Sequence, residues 1–142
     1  LKSAEKYLWQ QGWWLQHQRF LGALQERPQR RIIFSGDIHA QGAVSIRGSG
    51  SLDFRASPIV SVLVGPVGTS QGTWPSFARE ITASQPEWMK TNELAETREV
   101  NGFALFDFVG DKAHLQLFDC GGYDLEKDED GSVLSIHAIE LA

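Results

Sequence analysis

Only one cysteine, Cys120, occurs among the 142 residues. A single thiol closes no internal disulfide and cannot build a four-thiolate zinc site, so the redox compartment is not written in this chain. Long apolar runs are missing as well. The best of them, residues 59–64, has the length of a strand and falls far short of the ~18–20 residues of a membrane-crossing helix, so no membrane span is expected. Cationic side chains are scarce: 13 Lys and Arg stand against 18 Asp and Glu, a net charge of −5. Such a balance gives no general hold on a polyanion, and nucleic acid is not an expected partner. Lys2, Glu5 and Lys6 interrupt the opening residues, which excludes a signal-peptide pattern there. The chain also starts at Leu1 without a methionine, and an upstream portion is expected. The compartment stays open.

What is present is an ordinary globular mixture, 42% hydrophobic and 22% charged, unlike a disordered or fibrous chain. No repeat or low-complexity block interrupts it, so residues 1–142 read as one segment with a modest core. Trp9, Trp13, Phe20 and Leu24 recur near helical spacing with Leu21 beside them, and Gln16, Gln18, Arg19, Gln25 and Glu26 fill the other side. That predicts an N-terminal helix, stopped by Pro28, with His17 packed or partly exposed in line with its stripe. Residues 31–34 are β-branched and aromatic and predict a buried strand ending at Ser35-Gly36. Further strands are expected at 43–47 and 59–64, parted by the Gly48-Ser49-Gly50-Ser51 loop. Residues 65–99 read as loop, with a short helix at 76–81. Alternation through Ala104, Phe106 and Phe108, a turn at Gly110-Asp111-Lys112, and the run from His114 to Phe118 predict a β-hairpin. A last strand is expected at 133–141, after the acidic turn at 128–131.

The sharpest chemical signal is Phe34-Ser35-Gly36-Asp37-Ile38-His39 at the end of the first strand. In extended chain, side chains at i and i+2 point to one side, so the Asp37 carboxylate and the His39 imidazole can converge on one ion. That donor pair suits Zn, Fe or Mn. Taken alone, D-x-H is equally the pattern of a turn-capping aspartate with an incidental histidine.

The flanking residues carry more. The string Arg30-Arg31-Ile32-Ile33-Phe34-Ser35-Gly36-Asp37-Ile38-His39-Ala40, preceded by a Trp-rich helix, resembles the closing part of the PhoD-like alkaline phosphatases of the metallophosphoesterase superfamily. Residues 59–70 are similar to the strand and Ser/Thr-rich loop that follow that motif, and 102–118 to the terminal strands. The resemblance implies an α/β fold: the C-terminal portion of a two-sheet αββα sandwich, an N-terminal helix and then mostly β-strands. It implies metal-dependent hydrolysis of phosphate esters, with a cluster of two or more divalent or trivalent ions (Fe, Ca, Zn or Mn). His39 then holds metal, and Asp37, standing where most of the superfamily has histidine, either ligates or supports a ligand. Arg47 or Arg55 would neutralise the phosphate, and Ser70 would line its site. A first-motif alignment of the same letters requires a later G-D-x-x-D and a G-N-H motif, and neither occurs. Two ligands are fewer than the three that an open catalytic zinc site uses. The remaining donors are therefore expected from an upstream half or another chain, with the chain inactive alone.

Other chemistries compete. Gly68-Thr69-Ser70-Gln71-Gly72 matches the nucleophile-elbow pattern of serine esterases, with Asp107, Asp119, His114 and His137 available as partners in the right order. Gly65-Pro66, however, ends the preceding strand too early for an elbow. Residues 126–137 superficially match a calcium loop, but Glu126 opens it and His137 stands where a bidentate carboxylate is needed. A third reading makes the chain a non-catalytic β-rich interaction module, its aromatics meeting a partner.

Overall fold

A computed structural model describes residues 13–36, 40–67, 87–110, 112–119 and 134–141, the last stretch as backbone alone. The expected helix is α1, Trp14–Gln25, and it turns a different face inward from the one its sequence stripe implied. Leu21 is fully buried, with Leu24, Trp14, His17 and Gln18 half-buried on the same side, whereas Trp13 and Phe20 are 54% and 49% exposed. Spacings of three and four from Trp14 through Gln18 and Leu21 to Leu24 define this inner stripe. Polar contacts set its rotation: Gln18 Nε2 donates to Ser49 Oγ at 2.8 Å and Gln25 Nε2 to the Asp53 carbonyl at 3.1 Å. Trp14 also meets the Trp88 ring edge-on at 4.9 Å.

The strands are β1 (Arg31–Ser35), β2 (Gln41–Ser49), β3 (Leu52–Asp53), β4 (Ile59–Val64), β5 (Met89–Arg98), β6 (Gly102–Val109), β7 (Lys112–Asp119) and β8 (Leu134–Leu141). A five-stranded sheet runs β1-β4-β2-β3, with β5 also paired to β2. Within it β1 and β4 are parallel, from Arg31 beside Ile59 to Ser35 beside Leu63. The pairs β2–β4 and β2–β5 are antiparallel. The second sheet is the antiparallel meander β6-β7-β8, and its first two strands form the expected hairpin around Gly110 at φ +63°.

Alternation along the strands sorts side chains to two faces of the larger sheet. Ile33, Val44, Ile46 and Ile59 join Leu21 and Phe54 under α1, while Ile32, Ala43, Val60 and Val62 meet Ala113, Leu115 and Leu117 of β7. Each fully buried aliphatic side chain contributes about 1.5–3 kcal/mol.

This corrects the expected architecture. The described residues form a small β-rich domain with one helix, one mostly antiparallel sheet and one antiparallel meander, in place of the αββα metallophosphoesterase sandwich. The meander itself covers the sheet face opposite α1, so among the described residues no second helical layer is needed to bury it. Residues 89–98, expected as loop, form β5 instead.

Candidate functional site

Because β1 and β4 are parallel and in register, both reach their carboxyl ends at the same end of the sheet. Gly36 follows β1 and Gly65 follows β4; a Cβ placed on Gly36 would lie 4.0 Å from Val64 Cγ2, in ordinary contact. Gly65 turns away with φ +70°, and a Cβ there would come within 2.8 Å of Gln41 Cγ. In open α/β sheets ligands gather outside the carboxyl ends of the parallel strands; here a single parallel pair has such an end.

Buried polar groups fasten this end. Gln41 is 1% exposed. Its Nε2 donates to the carbonyls of Val64 (3.3 Å), Phe103 (3.2 Å) and Phe118 (3.1 Å), tying β4 to two strands of the other sheet. Gly102 N–H donates to the Pro66 carbonyl at 2.7 Å, which holds the chain leaving β4 against the start of β6. Gly102 must be glycine, because a Cβ would collide with the Phe118 carbonyl oxygen and the Gln41 amide. Gln41 Oε1 is buried with no hydrogen-bond partner.

Asp37 and His39 lie outside the described residues, as do Ser70 with its glycine-rich loop, Cys120 and most of the acidic stretch 126–137. Their described flanks are Gly36 on one side and Ala40, 2% exposed, on the other. Arg47 and Arg55 stand elsewhere. Gln41 pairs with Val64 at the carboxyl end of β4, and Arg47 lies six residues further along β2, about 20 Å away at ~3.4 Å per residue. Arg47 Nη1 is 3.1 Å from the Asn92 side-chain amide. Arg55 is committed to Asp53, its Nε donating to Oδ1 at 2.9 Å and Oδ2 at 3.0 Å. That hydrogen-bonded guanidinium holds the Asp53 carboxyl down to about 2 and raises the arginine in turn. The structure therefore does not bring either arginine to the Gly36 end.

Among the proposed esterase partners, Asp107 and His114 are cross-strand neighbours in the β6–β7 hairpin, while Asp119 pairs with Gly102 at the hairpin's far end. His17 is half-buried and stacks on Trp14 at 5.5 Å; burial lowers its pKa. Among the described residues, no three His, Cys, Asp or Glu side chains converge in a metal-holding group, and no helix is long and apolar enough to cross a membrane.

Two residues of consequence were not singled out by sequence reasoning. Gln41 carries no local signal, since its partners are 23, 62 and 77 residues away. Arg31 reads as the leading letter of an apolar strand, yet it is buried. No protein-family model, curated protein or solved structure matches the chain.

Proposed function

We propose that this chain is part of a metal-dependent phosphoesterase of the PhoD-like kind, with His39 and Asp37 contributing to its metal site. The observation that supports the reading is the shared carboxyl end of the parallel pair β1 and β4, from which the Gly36-Asp37-Ile38-His39 segment departs. Gln41 and Ala40, both buried, anchor the chain immediately after that segment, while Gly36 before it is exposed. Such anchoring is what a ligand-bearing turn requires, because donors must be held to within about half an ångström.

Ions bound there would supply Lewis acidity to the phosphoryl group and acidify an attacking water. The chain's own part is to present one imidazole and one carboxylate. Asp37 would either ligate directly or accept a hydrogen bond from the N–H of a ligand, fixing its orientation. Since three protein donors are the minimum for an open zinc site, Asp37 and His39 leave the set incomplete, and the rest would come from another segment or chain. The chain alone is inactive in this reading.

The test is His39→Ala against Ser70→Ala in the complete protein, with metal content and hydrolysis of p-nitrophenyl phosphate measured together. The expected result is at least a ~10-fold loss of both metal occupancy and turnover for His39→Ala, with Ser70→Ala close to the parent. The reverse pattern would move the assignment to a serine esterase. Unchanged metal content and turnover in His39→Ala would leave the β-rich interaction module, which the half-exposed Phe34, in edge contact with Phe106 at 4.3 Å, favours.

A further inference from the structure

We propose that the outer edge of β6 is a self-association surface, on which a second copy of this chain docks by antiparallel strand pairing centred on Phe106. Among the described residues β6 is the last strand of its meander, with a partner on the β7 side only. Asp107 is its one charged residue, and it holds no lysine or proline. Leu105, Phe108 and Val109 are 50%, 64% and 58% exposed. An apolar edge of this kind is a template for another strand. The margin formed by β5 is built the other way, with Lys90, Glu93, Glu96 and Arg98 all exposed.

The direction of the backbone groups follows from a contact at the start of the strand. Gly102 N–H points away from β7, to the Pro66 carbonyl. Peptide groups alternate along a strand, so the N–H and C=O of Ala104, Phe106 and Phe108 share that outward direction. No strand among the described residues takes them up. Pairing between two copies needs outward groups on both sides, which confines the two-fold axis to a residue position. Centred on Leu105, the register sets Phe108 of the second copy against Gly102, where Pro66 already sits. Centred on Asp107, it sets two carboxylates face to face, which is unfavourable. Centred on Phe106, it pairs Phe106 with its counterpart and Ala104 with Phe108, and all the outward groups are used.

The side chains agree with that register. Phe34 of β1 meets Phe106 edge-on at 4.3 Å, and Phe106 stacks with Phe108 at 6.4 Å, a row of rings along this margin. Pairing joins the two rows at the axis and sets the small Ala104 opposite the large Phe108. On the other face Leu105 meets Asp107 of the second copy, and Phe103 meets Val109. With ~150–250 Å² per aromatic side chain, the exposed halves of Phe34 and Phe108 offer about 200 Å² per copy. Leu105 and Val109 add to this, yet the whole stays under the ~1,200 Å² of a standard interface, so the dimer is weak and concentration-dependent. Every residue used lies on β1 or β6, and the inference does not rest on the metal-site reading.

The experiment is analytical ultracentrifugation of the full chain at concentrations up to ~1 mM, the range that so small an interface requires, with reductant present so that Cys120 forms no cross-link. The average mass should climb with concentration and level at that of two chains. Leu105→Asp puts a carboxylate opposite Asp107 of the second copy at two symmetric places and should weaken association at least ~10-fold. Leu105→Lys puts an opposite charge there and should hold association within ~3-fold of the parent. Leu105 is half-exposed, and circular dichroism verifies that both variants fold. The proposal is overturned by a monomer at every concentration, by growth beyond two chains, by parental association in Leu105→Asp, or by equal losses in the two variants. A monomer whose Phe106 amide resists hydrogen exchange would show that the chain caps this edge itself.

Discussion

Gln41 shows how one side chain fixes the end of a sheet. Its amide hydrogens are shared among carbonyls of β4, β6 and β7, and the space for this exists because residue 102 has no side chain. Gly102→Ala should therefore lower stability by about 1–3 kcal/mol through overpacking, read from the denaturant midpoint; a change under ~0.5 kcal/mol would show that the neighbouring backbone moves aside. Neither residue was legible in advance. A glutamine after Ala40 looks like a surface residue, and what buries it is drawn from the far half of the chain. Asp37 and His39, by contrast, offer themselves as a candidate pair in the sequence because an i, i+2 relation is local, and they lie outside the described residues. Arg47 and Arg55 were offered as phosphate ligands on charge alone, which says nothing about the end of a strand at which a residue stands.

Elements were readable in proportion to how local their determinants are. The β6–β7 hairpin emerged where the alternation and the Gly110 turn placed it, since its register is set within a few residues. For α1 the existence was clear and the orientation was not. Trp13 and Phe20 are bulky aromatics left outward, because Gln18 and Gln25 bond to Ser49 and Asp53 and hold Leu21 inward. Leu21→Ala should accordingly cost about 2–5 kcal/mol, whereas Phe20→Ser should stay within ~0.5 kcal/mol of the parent. Equal losses in thermal or urea unfolding would restore the Trp13–Phe20 stripe as the inner face. The strand β5 was read as loop because residues 65–99 are punctuated by Pro66, Gly68, Gly72, Pro75 and Pro86, and its own Lys90, Asn92, Glu93 and Glu96 are poor in strand propensity. Those same charges suit a strand at the margin of a sheet, where they discourage pairing with other chains, and it contributes Met89, Leu94 and Ala95 to the core.

For the molecule as a whole, the order of layers is α1, the five-stranded sheet, then the β6-β7-β8 meander. The expectation of an α/β sandwich came from a resemblance spread over most of the chain, and the correction comes from the way the second half packs, where the meander takes the place a helical layer would hold. The amino end of β1 is fastened by Arg31, whose guanidinium bonds to Leu24 and Ser57.

The shared amide of Gln41 and the bond from Gly102 N–H to the Pro66 carbonyl also determine how the protein comes apart. Neither layer of strands can open by itself without stripping main-chain partners from the other. In native-state hydrogen–deuterium exchange, the Gly102 amide should thus exchange only through global opening, with a denaturant slope matching that of equilibrium unfolding. A shallow slope there would mean that the meander breathes independently.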